Sequence, residues 1–248
     1  MRILMTMVLI MVSSAQALAA ELTVLASVAA RDYIDEMVPE WKASTGNMLF
    51  IEYNSGAEVR KKVNAGATFD VVISFAPDLE GMRKALQVET EGSMIGTAYL
   101  VIVYKRGTEA PEAATPDQFK ALIESMPSFA TSDPAGGGVG PVLVVDTAQR
   151  MGVQETLKAK MVLVKSGQAA IAVAEGRARF GIAQTTEIAR VPDVEGSKFL
   201  PGDPRSTTRL AAAVGTKSLE KSVAENFIAF VTSPATLQTR RAAGFETH

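Results

Sequence analysis

Two hydrophobic periods alternate along this chain. Short apolar-rich runs at Leu22–Ala26, Leu49–Tyr53 and Asp70–Ser74 read as strands. Between the first two, Ile34, Met37, Val38 and Trp41 recur at i, i+3, i+4 and i+7, the spacing of one helical face. Val59 and Val63 give the next helix its apolar side, and Gly66 is its expected stop. The run Ala98–Tyr104, AYLVIVY, has no polar alternation and reads as a strand buried on both faces. Thr115, Pro116 and Gln118 carry the cap, first-turn proline and returning glutamine of a helix start. Phe129–Ser132 reads as a strand, and the glycine-rich 133–141 as a loop opening another helix. Ser166 is the expected cap of a helix carrying Ile171 and Ala174. Phe180–Gln184 and Arg209–Val214 read as further strands. Ser218 and Ser233 are expected to begin two terminal helices, the second with Pro234 in its first turn. No internal repeat is visible. Strands alternating with helices predict an α/β fold.

Composition narrows the chemistry. There is no Cys, which removes thiolate nucleophiles, disulfides and Cys-ligated metals. The one His is the terminal His248, so a Ser-His-Asp or Cys-His centre and a His-based metal site have no material. The net charge is −2, and no basic block interleaved with aromatics points to nucleic acid. At the front, Arg2, the apolar run Ile3–Val12 and Ala17-Leu18-Ala19 have the layout of a cleaved leader. The run is too short to span a bilayer, so residues 1–20 are expected to be a signal peptide and the mature chain to be exported to the periplasm.

The order of pieces carries a resemblance. Asn64–Ser74, NAGATFDVVIS, is similar to a Glu-Ala-Gly-Ala-Pro-Ala-Asp-Leu-Phe-Ile-Ser motif. Phe180–Ile188, FGIAQTTEI, is similar to Leu-Gly-Ile-Val-Tyr-Gly-Ser-Asp-Ala, and the ending TSPATLQTRRAAGFE matches as well. Together with an Ala/Ser loop after the first strand and SDP before a glycine-rich helix start, these pieces resemble the periplasmic molybdate-binding proteins of ABC importers over nearly the whole mature chain. The resemblance implies a two-lobed, type II periplasmic binding-protein fold with ligand in the interlobe cleft. Residues 21–102 and 209–248 would form lobe one and 103–208 lobe two. It also implies a monomer that needs no cofactor, takes a small anion, and delivers it to an ABC permease in the inner membrane.

Carried over position by position, the family's contacts change character. The first loop's ligand Ser falls on Ala29, with Ser27 two residues earlier. The second loop's falls on Gly56, with Ser55 beside it. Two backbone N–H contacts fall near Gly140 and on Ser166, and the family's Tyr falls on Gln184. Arg31, in a first helical turn where the dipole disfavours a cation, calls for a negative partner: Asp32, Asp35 or a ligand carboxylate. The candidate ligand residues are therefore Ser27, Ala29, Arg31, Ser55, Gly56, Gly140, Ser166 and Gln184, with no catalytic and no metal residues. Small polar residues at helix mouths suit an oxyanion, since unpaired N–H groups point outward there. A small organic acid remains an alternative ligand for the same fold. An exported hydrolase is the remote alternative, because the loops at 26–31, 54–57, 134–141, 165–167 and 184–186 hold no Asp or Glu for acid–base work.

Overall fold

The computed structural model describes residues 19–247, so most of the expected leader and His248 lie outside the described residues. β1 (Glu21–Ser27) runs through a three-residue 3-10 turn into α1 (Arg31–Thr45), which buries Ile34, Met37 and Trp41 as the helical spacing predicts, and Tyr33 besides, while Val38 is half-buried. β2 (Met48–Asn54), α2 (Gly56–Asn64) and β3 (Val71–Phe75) follow, and Gly66 takes φ +88° just past the end of α2. α3 (Ala76–Lys84) then leads to the long β4 (Ser93–Lys105).

The rest of the chain builds a second unit. α4 (Pro116–Ser125) starts with the reciprocal Thr115–Gln118 box expected from its sequence. β5 (Phe129–Ser132), α5 (Val139–Arg150), α6 (Gln154–Lys160) and β6 (Met161–Val164) come next. α7 (Ala169–Ala174), β7 (Phe180–Gln184), α8 (Thr185–Ile188) and β8 (Val194–Lys198) complete it. β9 (Thr207–Val214), α9 (Lys221–Thr232) and α10 (Leu237–Ala242) return to the first unit.

The nine strands of the described residues run in the order β2-β1-β3-β9-β4-β7-β5-β6, with β8 also on β4. Each unit is built the same way. In the first, β1, β2 and β3 are parallel in the order second-first-third, and β9 lies antiparallel beside the third. In the second, β5, β6 and β7 repeat that order, and β4 lies antiparallel beside the third. β4 belongs to both, since its residues up to Tyr99 pair β9 and those from Leu100 pair β7. Each unit buries its own apolar clusters, around Tyr33, Trp41 and Phe227 in the first and around Phe119, Phe129 and Phe199 in the second.

Local expectations changed at three serines. Ser166 does not cap α7: residues 165–168 close a turn in which the Gln168 N–H donates to the Lys165 carbonyl and Gly167 takes φ +78°, so the helix starts later. Ser218 lies ahead of α9, accepting from the Glu220 N–H (3.1 Å). Ser233 opens a 3-10 turn that precedes α10. α3, α6, β6, α8 and β8 have no counterpart in the sequence reading. The strands among them are half-exposed pieces without the buried apolar run that marks β3, β5 and β7.

Candidate functional site

The duplicated units aim their parallel strands at one another. Ser27 ends β1, Ser55 follows β2, and Phe75 ends β3. Opposite them, Ser132 ends β5, Lys165 follows β6, and Gln184 ends β7. All six line one cavity of about 50 Å³ between the units. Carboxyl ends of strands are where an open α/β sheet exposes helix N-termini, so the fold concentrates unpaired N–H groups here.

The donors can be followed group by group. Ser27 is 1% exposed, and its Oγ accepts from the Ala29 N–H (3.3 Å). The Ser55 Oγ accepts from the Glu58 N–H (3.2 Å), capping α2. A hydroxyl that accepts from the backbone keeps its own proton to donate, so both serines cap and still offer O–H. α5 begins behind Gly138, and Pro141 contributes no N–H, leaving Val139 and Gly140 as its free donors. Gly140 also packs closely, since a Cβ there would lie 3.1 Å from Ile182 and 3.3 Å from Leu100.

Gln184 is nearly buried, and its Oε1 accepts from the Thr208 hydroxyl (2.7 Å). With its oxygen engaged, the amide has only N–H to give to a ligand. The backbone N–H of Gln184 donates to Glu187 Oε2 (2.8 Å), in a reciprocal cap at the start of α8. Glu187 lies on the cavity wall, which corrects the expectation that no Asp or Glu reaches the cleft. Burial pushes its carboxyl above the ordinary range, the Gln184 N–H opposes this, and Asp32 adds to it. The signal is present in the sequence as an acid three residues after a helix-capping position, one residue past the 184–186 loop.

Of the eight candidates, Ser27, Ser55, Gly56, Gly140, Ser166 and Gln184 line the cavity, and Ala29 and Arg31 do not. Ala29 is buried at the entry to α1, against the core of the first unit. Arg31 places its guanidinium over the Tyr53 ring, 4.9 Å from the centroid, and the Tyr53 hydroxyl donates to Asp35 (2.7 Å). Its negative partner is thus a ring face backed by a carboxylate, within the first unit. Gly56 is small for a reason other than ligand approach, because the space a Cβ would take is filled by Phe75. Phe75 and Ser132 were not singled out from sequence. Ser132 ends an expected strand, and Phe75 lies one residue past the strand expected at 70–74.

Known proteins share this layout. The Rhodobacter capsulatus molybdate-binding protein ModA is 25% identical over 206 residues, 82% of this chain and 79% of that protein. The Azotobacter vinelandii periplasmic molybdate-binding protein superposes with TM-score 0.70 at 18% identity, covering 92% of this chain and 99% of that one. The sulfate-binding protein SubI of Mycobacterium tuberculosis H37Rv gives TM-score 0.68 at 19% identity, over 91% of this chain and 86% of that one. These structures have the two-lobed α/β fold of periplasmic binding proteins, and this chain shares it. The model of the bacterial extracellular solute-binding protein family matches residues 22–246, and the chain belongs to that family.

Proposed function

We propose that this protein is the solute receptor of an ABC importer, and that it captures one compact tetrahedral oxyanion of the molybdate, tungstate or sulfate kind between residues 21–102 with 209–248 and residues 103–208. The observation that carries the reading is the size and lining of the cavity. The cavity is small, about 50 Å³, and a compact anion with a few oxygens suits that space and its lining. The walls supply serine hydroxyls, helix-end N–H groups and an amide whose oxygen is already engaged. Dehydrated oxyanions are held well by such fixed neutral donors. The similar proteins named for molybdate and sulfate support the ligand class, and the family supports delivery to a membrane permease from the periplasm.

The reading is capture and release. The cavity offers one carboxyl, Glu187, already bonded to a backbone N–H, and one exposed amine, Lys165, with no imidazole or thiol. Replacement of the family's Tyr by Gln184 removes an O–H donor but supplies N–H in its place, so molybdate should bind here more weakly than in similar proteins that retain the Tyr. Titration calorimetry of the mature chain tests this. Saturable 1:1 binding of at least one tetrahedral oxyanion is expected, with no heat from citrate or succinate. Carboxylate binding without any oxyanion binding would overturn the reading.

A further inference from the structure

A larger groove of about 530 Å³ lies directly outside the small cavity, and the two share Phe75 and Val139 as walls. The groove is walled mainly by apolar groups. At its rim Arg60 pairs with Asp78 and Arg205 with Asp146 and Asp203, while Arg209 has no carboxylate partner among the described residues. Phe75 is the last residue of β3, and its ring covers the first turn of α2. A Cβ built on Gly56 would stand 2.3 Å from Phe75 Cε2 and 2.7 Å from Cδ2, so the ring occupies the place a side chain at Gly56 would take. Gly56 thereby seats the ring against the helix end that faces the anion.

We propose that Phe75 is the partition that sets the size of ligand this protein accepts, closing the small cavity off from the groove so that only a single-centre oxyanion fits. The inference rests on the small cavity being the anion site. The ring also keeps groove water away from the helix-end donors, and those donors attract an anion more strongly in a dry site than in a wet one. Truncating the ring therefore has two consequences. Water reaches the donors, and the two spaces become one cleft with an apolar, Arg-rimmed extension. Such a cleft suits an anion that carries a short apolar tail, an alkylphosphonate being the simplest example.

Titration calorimetry with molybdate, sulfate and propylphosphonate, on the wild type, Phe75→Ala and Phe75→Leu, tests the partition. The wild type should bind a compact oxyanion and give no signal with propylphosphonate. Phe75→Ala should lose about tenfold or more on the compact anion and gain saturable propylphosphonate binding, with Phe75→Leu intermediate. Gly56→Ala should also weaken the compact anion, because its methyl collides with the ring. Gly56→Ala combined with Phe75→Ala should be no weaker than Phe75→Ala alone, the non-additivity expected of two groups in contact. Wild-type oxyanion binding together with an unchanged size profile in folded Phe75→Ala, or strictly additive losses in the double variant, overturns the partition alone. A wild type that binds no compact oxyanion overturns the site reading and the partition with it.

Discussion

Asp70 joins three stretches of chain that are far apart in sequence. Its Oδ2 accepts from the Thr23 N–H and hydroxyl, both at 2.8 Å, and its Oδ1 from the Ser218 hydroxyl at 2.6 Å. Burial alone would raise its pKa, but these hydrogen bonds outweigh burial and hold the carboxyl below its ordinary value. The folded pKa is thus lower than the unfolded value of about 3.9, so the contribution to stability is complete above that pH and is lost as pH falls through the folded value. Asp70→Asn should therefore melt lower than wild type at pH 7, and the gap should narrow between pH 5 and pH 3. A gap of constant size over that range would show that the ionised carboxylate is not the source. Single residues also mislead when read alone: Gly56 looks like a place for ligand to touch backbone, yet the ring of a residue 19 positions later claims that space.

At the scale of elements, α10 is held by a buried cation without a carboxylate. Arg240 sends Nη1 to the Ile95 carbonyl (2.8 Å) and Nη2 to the carbonyls of Ser233 (3.0 Å) and Thr232 (3.4 Å). Local geometry turns both sets of acceptors toward the guanidinium, and the Ser233 carbonyl also accepts from Thr236. β4 shifts register against β9 between Met94 and Gly96, which takes Ile95 out of the ladder. α9 ends at Thr232, where Tyr33 and Thr236 take up the Val231 carbonyl and the guanidinium reaches those of Thr232 and Ser233. The guanidinium satisfies a bulge and a helix C-terminus together, with the dipole favouring its charge. Arg240→Met keeps most of the length and removes the donors. It should cost about 2–4 kcal/mol, since buried acceptors lose their partners, read as a lower urea midpoint with unchanged slope. A loss under about 0.5 kcal/mol would mean that water replaces the guanidinium.

At the scale of the molecule, Arg190 beyond α8 pairs with Glu36 on α1, a link between the second unit and the first. Both side chains are about two-fifths exposed, so the pair is worth no more than about 1 kcal/mol. It acts where the units meet, and a hinge motion that opens the cleft would break it. Arg190→Ala should weaken oxyanion binding about two- to fivefold at low salt, and the difference should vanish in 1 M NaCl, where exposed charges are screened within about 3 Å. An equal loss at both salt concentrations would mean that Arg190 acts through something other than this pair. Arg190 also lies near enough to Asp32 to oppose the effect of burial on that carboxyl.

What the sequence determined by itself was local. Hydrophobic pattern placed β1, α1, β2, α2, β3, β5 and β7, because their apolar runs are buried or alternate with polar positions, and the Thr115–Gln118 box specified its helix start to the residue. Family register led to Ser27, Ser55, Gly56, Gly140, Ser166 and Gln184, since strand ends and helix mouths keep their order even where side chains change. Tertiary structure decided the rest. The duplicated second-first-third strand order is invisible in the residues, because a sheet order is a set of long-range pairings that different apolar runs can satisfy equally well. Ala29 and Arg31 turned into the first unit, and Glu187 came to the wall, because the direction of a side chain beyond a strand end depends on what packs behind it. Phe75 became a wall of two spaces for the same reason: only the approach of β3, α2 and α5 puts an aromatic ring where three distant segments meet.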